Sequence, residues 1–240
     1  MKNILLLFFI SLLMGTVVFA QTNKENSGAY NNRGIAKFKL EDYRGAIQDF
    51  NKSIELDPKY SNAYNNRGNA KNKLEDYRGA IQDYNKSIEL DPKNSGAYYN
   101  RGIAKRKLED YRGAIQDYSK SIELDPKYSE AYYNRGIAKD NLEDYRGAIQ
   151  DYSKSIELDP KDRDVYFNRG NAKTKLEDYR GAIQDYSKSI ELDPKNSGAY
   201  FNRGISKCLL GDKNGGCLDF SKAGELGLVK AYDAIKQYCN

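Results

Sequence analysis

Six arginines stand in one frame of this 240-residue chain: Arg33, Arg67, Arg101, Arg135, Arg169 and Arg203. Each lies in a segment like AYYNRGIAK, which occurs letter for letter at residues 97–105 and 131–139. A guanidinium is a planar fork of donors that grips a carboxylate or phosphate through two parallel bonds. Six of them turned outward would hold an anionic ligand; turned inward, each needs a carboxylate of its own. Asp49, Asp83, Asp117, Asp151, Asp185 and Asp219 supply one carboxylate 16 residues after each arginine. If the chain reverses near Leu40-Glu41-Asp42 as an antiparallel helical hairpin, residue 33 comes opposite residues 49–50. The sequence therefore predicts a partly buried Arg–Asp pair in every copy that serves to fix register. The last copy departs from the others elsewhere yet keeps both Arg203 and Asp219.

Other chemistry is sparsely represented. The chain has no histidine and no tryptophan, which removes the commonest general base and the commonest metal ligand. No phosphate loop, metal-ligand cluster or base-activated nucleophile is apparent, and the carboxylates are repeat-wide rather than a singular pair. We expect no enzyme activity, no cofactor and no metal. The net charge of +5 comes from 39 basic residues interleaved with 34 acidic ones. Lys37, Lys71, Lys105, Lys139, Lys173 and Lys207 run in line with Arg44, Arg78, Arg112, Arg146 and Arg180. That stripe supports an alternative reading, a solenoid that binds nucleic acid or another anionic polymer. Glu41, Asp42, Glu55 and Asp57 recur beside it, so the field largely cancels, and nucleic acid is not the expected partner.

Pro58, Pro92, Pro126, Pro160 and Pro194 recur every 34 residues. Within one period, SGAYNNRGIAKFKLEDYRGAIQDFNKSIELDPKY at 27–60, Ala29, Tyr30, Gly34, Lys37 and Leu40 share one helical face. Tyr43, Ala46, Ile47, Phe50, Ile54 and Leu56 mark a second helix. Asp57-Pro58 ends it, because a residue before proline is pushed out of the helical region. A lone hairpin cannot cover its own apolar face and must stack on neighbours.

The chain resembles the tetratricopeptide repeat family, whose 34-residue unit carries an early aromatic, a small residue, an alanine, a second aromatic and a closing proline. Tyr30, Gly34, Ala46, Phe50 and Pro58 match that pattern, and the match recurs through Pro194. The family usually has an apolar residue at the arginine position, so the arginine is a departure. The resemblance implies an all-α, right-handed α-solenoid of six helix-turn-helix repeats plus a capping helix. The repeats fall at 27–60, 61–94, 95–128, 129–162, 163–196 and a degenerate 197–230, with the cap at 231–240. In the sixth, Gly216 replaces alanine and Leu228 replaces proline. Residues 21–26 read as a flexible lead.

The resemblance also implies that the first helices line a concave groove for a peptide or protein. The first variable site there runs Asn31, Asn65, Tyr99, Tyr133, Phe167, Phe201, and the next is asparagine throughout: Asn32, Asn66, Asn100, Asn134, Asn168, Asn202. Then come Ile35, Asn69, Ile103, Ile137, Asn171, Ile205, followed by Phe38, Asn72, Arg106, Asp140, Thr174, Cys208. An asparagine ladder suits an extended polypeptide, since each amide both donates and accepts. Equally, the asparagines stitch adjacent repeats and the aromatics pack sideways. Some family members clamp a C-terminal carboxylate with lysine and asparagine; here the lysine site holds asparagine or an aromatic, so that ligand is not expected.

Residues 1–20 read as a cleaved signal peptide: Lys2, the apolar run Ile4 to Leu13, and Val18-Phe19-Ala20 before the cut. This predicts a periplasmic or secreted protein with no stable membrane insertion after cleavage. An oxidising location permits a disulfide among Cys208, Cys217 and Cys239. Antiparallel helices about the turn near Gly227-Leu228 favour Cys217–Cys239.

Overall fold

The computed structural model describes Thr22 and residues 24–239. The expected signal segment lies outside the described residues, as do Gln21, Asn23 and Asn240. Among the described residues the chain is all-α, thirteen helices without a strand. The described residues divide into two compact units, those up to residue 110 and those from residue 111. The first holds α1 (residues 24–39), α2 (Tyr43–Leu56), α3 (Ser61–Lys73), α4 (Tyr77–Leu90) and α5 (Ser95–Lys107). The second holds α6 (Tyr111–Leu124), α7 (Ser129–Asn141), α8 (Tyr145–Leu158), α9 (Arg163–Lys175), α10 (Tyr179–Leu192), α11 (Ser197–Leu209), α12 (Lys213–Glu225) and α13 (Lys230–Tyr238). Residues 24–26, expected to belong to a flexible lead, are helical and extend α1.

One aspartate ends each first helix and begins the next. The Asp42 N–H donates back to Lys37 O at 3.0 Å while Glu41 takes a left-handed φ of 62°, the bond and conformation that close a helix in a Schellman turn. The Asp42 carboxylate then accepts the Gly45 N–H at 2.9 Å as the N-cap of α2. Asp76, Asp144, Asp178 and Asp212 cap their helices in the same way. In the sixth unit the left-handed residue is Gly211, with φ 89°. At the far end Asp57 caps α2, and its carboxylate accepts the Lys59 N–H across the proline turn.

Small residues let the paired helices approach. Ala46, Ala80, Ala148 and Ala182 are fully buried, as are Phe50, Tyr84, Tyr152, Tyr186 and Phe220 or nearly so. A Cβ on Gly34 would fall 2.6 Å from the Phe50 ring, and one on Gly136 2.6 Å from Tyr152. Gly216 replaces the usual alanine because the Cys208 Sγ occupies the space a Cβ would take. The leucines expected on the packed face behave otherwise: Leu40 is 80% exposed and Leu142 41%. Each stands past the last helical residue, on the rim where the chain turns. Cys217 and Cys239 lie at disulfide distance, their Cα atoms 5.9 Å apart, joining α12 to the end of α13.

Candidate functional site

The arginines are held inward by several groups at once. Arg135 Nε and Nη2 donate to Asp151 Oδ2 and Oδ1 at 2.9 and 2.7 Å. Arg33–Asp49, Arg67–Asp83, Arg169–Asp185 and Arg203–Asp219 show the same two-pronged geometry. Each guanidinium also lies over the early tyrosine of its helix, Arg135 at 5.6 Å from the Tyr132 ring centroid. The remaining Nη1 reaches the preceding hairpin: Arg67 donates to Asn51 and Arg101 to Asn85 at 2.7 Å, Arg135 to Ser119 and Arg169 to Ser153 at 3.0 Å. The aspartates are nearly sealed, with Asp117 and Asp151 only 3% and 4% exposed. Arg33 has no hairpin before it among the described residues, and its side chain is 59% exposed against 18% for Arg135.

The lysine stripe is not a basic surface. Lys37, Lys71, Lys139, Lys173 and Lys207 turn in and ion-pair with the same aspartates at 2.8–2.9 Å. Each buried carboxylate thus joins two cations. The Arg33 bond outweighs burial and, with Lys37, holds the Asp49 carboxyl below the usual carboxylate range. Sequence reasoning found the arginine partner and missed the lysine. Its signal was the constant interval of 12 residues from Lys37 to Asp49 and from Lys139 to Asp151.

The expected groove residues divide between internal stitching and an open site. In the first unit Asn66 donates to Asn31 Oδ1 at 2.9 Å, Asn100 donates to Asn65 Oδ1 at 3.3 Å, and Tyr99 and Ile103 are half-buried. Arg106 keeps its Nε buried with no hydrogen bond. In the second unit Asn168 donates to Tyr133 Oη at 2.8 Å and Asn202 to Asn171 Oδ1 at 2.9 Å. Asn134 instead donates to Glu130 O within its own helix. Tyr133, Phe167 and Phe201 pack on the second-helix rings Tyr152, Tyr186 and Phe220, centroids 5.6–6.0 Å apart, with Ile137 beside the first of these pairs. The Lys230 ammonium covers Phe201 at 4.3 Å. The alternation of isoleucine and asparagine also has a cause: Asn69 and Asn171 accept the hydroxyls of Tyr84 and Tyr186 at 2.9 Å.

An open cavity of about 360 Å³ remains among α7, α9 and α11. Asp140, Asn171, Thr174, Asn202 and Ile205 line it from the first helices and Tyr186 from below, with exposed Lys175 at the edge. Burial pushes the Tyr186 phenol up to about 12, so it is a protonated donor at neutral pH. Burial likewise raises the Asp140 carboxyl, opposed by the field of Lys175. Asp140 Oδ1 is buried without a hydrogen-bond partner. Sequence reasoning placed Asp140, Asn171 and Asn202 in the groove; it did not single out Tyr186 or Lys175 as lining it.

The profile of the tetratricopeptide repeat matches residues 27–60, 61–94, 95–128, 129–162 and 164–196. The chain belongs to the tetratricopeptide repeat family. Among solved structures it is similar to YrrB, described as a TPR protein with an unusual peptide-binding site. That likeness has 23% identity and a TM-score of 0.70, over 78% of this chain and 97% of YrrB. MamA is 28% identical with a TM-score of 0.65, over 69% of this chain and 96% of MamA. The pilF protein of Pseudomonas aeruginosa is 18% identical with a TM-score of 0.77, over 90% of this chain and 99% of pilF. No curated protein matches the chain. As a tetratricopeptide repeat protein it carries a fold that is typically non-catalytic and that serves protein and peptide interactions. No helix among the described residues is long and apolar enough to cross a membrane.

Proposed function

We propose that this tetratricopeptide repeat protein is a non-catalytic scaffold, acting outside the cytoplasm, that holds an extended peptide segment of a protein partner on its first-helix face. The cavity among α7, α9 and α11 carries this reading. It combines apolar wall from Tyr186 and Ile205 with convergent polar groups from three helices, as ligand sites do. The peptide-binding site named for YrrB supports the class of partner. The nucleic-acid alternative loses the lysine half of its stripe, since the recurring lysines are engaged by buried aspartates. For location, the support is the basic start, apolar run and Val18-Phe19-Ala20 of the leader, together with a cysteine pair at disulfide distance.

Selection of a phage-displayed random peptide library against the purified protein tests the binding role. The expected result is enrichment of peptides that an Ile205→Glu change no longer retains; absence of any enriched peptide refutes it. Fractionation with N-terminal sequencing tests the location. A mature chain starting at Gln21 outside the cytoplasm is expected, and an intact cytoplasmic chain overturns it.

A further inference from the structure

The two units differ at equivalent cavities. In the first unit Ile35, Phe38, Phe50, Asn66 and Asn69 surround about 190 Å³. The corresponding residues of the second unit are Asn171, Thr174, Tyr186, Asn202 and Ile205, around about 360 Å³. Thr174 stands where Phe38 fills the first cavity. The second cavity is also bounded by Asp140 of α7, whose Oδ1 has no hydrogen-bond partner.

Several hydrogens of the polar lining are committed away from Asp140. Thr174 Oγ1 donates to Gly170 O at 2.9 Å, and Tyr186 Oη donates to Asn171 Oδ1 at 2.9 Å. The 3.0 Å contact between the two hydroxyls then lacks a hydrogen of its own. Asn202 has already committed an N–H to Asn171 Oδ1. The Asn171 amide nitrogen can donate, but it is neutral. Lys175 acts on Asp140 through its field from an exposed position. A carboxylate left this way in a half-enclosed site is satisfied by a cation that brings several N–H donors.

We infer that the cavity among α7, α9 and α11 is a subsite for a lysine or arginine side chain of the bound peptide, its charged end on Asp140 and its methylene stem along Tyr186 and Ile205. Long basic side chains suit such a place because their stems are apolar and only their ends are charged. Burial raises the Asp140 carboxyl, and a bound cation reverses that direction. This inference rests on the peptide-binding reading above and adds to it the chemistry of one side chain.

The test uses the full chain, its Asp140→Asn variant, and a random peptide library. Wild type is expected to enrich lysine or arginine at one fixed peptide position. The Asp140→Asn variant is expected to enrich peptides without that preference. A synthetic wild-type-selected peptide is then titrated calorimetrically against its lysine-to-glutamine analogue. The analogue should bind wild type roughly tenfold or more weaker and Asp140→Asn about equally. Thr174→Phe, which keeps the charge and closes the space, should also remove the preference. Enriched peptides with no basic position refute the subsite while leaving the scaffold reading intact. A basic preference that survives in Asp140→Asn refutes the role of Asp140. Failure to enrich any peptide overturns both.

Discussion

Replacing Asp151 with leucine should be among the most damaging single changes in the second unit. Its carboxylate is 5% exposed and accepts Arg135 Nε at 2.9 Å, Arg135 Nη2 at 2.7 Å and Lys139 Nζ at 2.8 Å. Without it, two cations whose side chains are 18% and 19% exposed face each other with no counter-charge. Breaking a buried ion pair from one side costs about 3–5 kcal/mol. At roughly 2–4 °C per kcal/mol for a chain of this size, the melting temperature should fall on the order of 6–20 °C. Hairpins interact chiefly with nearest neighbours, so hydrogen exchange should localise the loss to α7 and α8. The triple change Arg135→Leu, Lys139→Met, Asp151→Leu should recover most of the loss, since an apolar replacement of a whole buried ion cluster is often neutral. Thermal circular dichroism of the three proteins decides. If Asp151→Leu melts within about 2 °C of wild type, or the triple variant melts no higher than the single, the reasoning fails. Loss of peptide binding in Arg135→Leu at unchanged melting temperature would instead make the arginine a ligand-binding group.

Three further outcomes follow from local geometry. Because Asp49 binds its proton less tightly folded than unfolded, its stabilisation is complete above the unfolded carboxylate value near pH 4. It is lost as pH falls through the depressed folded value; denaturant titrations from pH 6 to pH 2 should therefore show less acid loss in an Asp49→Asn variant. Glu143 sits at φ 61° where the sixth unit uses glycine, so Glu143→Gly should raise stability or leave it level despite glycine's entropy, while Glu143→Val should lower it by about 1 kcal/mol or more; a melting comparison checks the order. Reducing Cys217–Cys239, which closes a separation of 22 residues, should cost on the order of 3 kcal/mol at the cap, seen as earlier hydrogen exchange in α12 and α13 with other hairpins of that unit less affected.

The site was legible only where its chemistry is periodic. Arg135 and Asp151 could be paired on paper because an antiparallel hairpin of known turn position converts a sequence interval into opposition across two helices. The asparagine ladder could not be assigned that way. Asn66 and Asn202 reach different acceptors on the preceding hairpin, Asn31 and Asn171, and which neighbour an amide meets depends on how one hairpin lies against the next. Leu40 misled for a related reason: helical spacing ran straight through a residue that the turn places on the rim.

By itself the sequence determined the repeat length, the two helices per repeat, and the aspartates and prolines that bound them. All of these are set by contacts close in the chain or repeated at a constant interval, so periodicity carries them. Only the tertiary structure decided that the lysines share the buried aspartates, that Arg135 also ties its hairpin to Ser119, and that Asp140 is left unmatched in a cavity. Those facts depend on where side chains of packed helices come to lie, and for the cavity on residues from α7, α9, α10 and α11 meeting at one point. Thr174 stands there where the first unit has Phe38, and no interval along the chain records the volume enclosed.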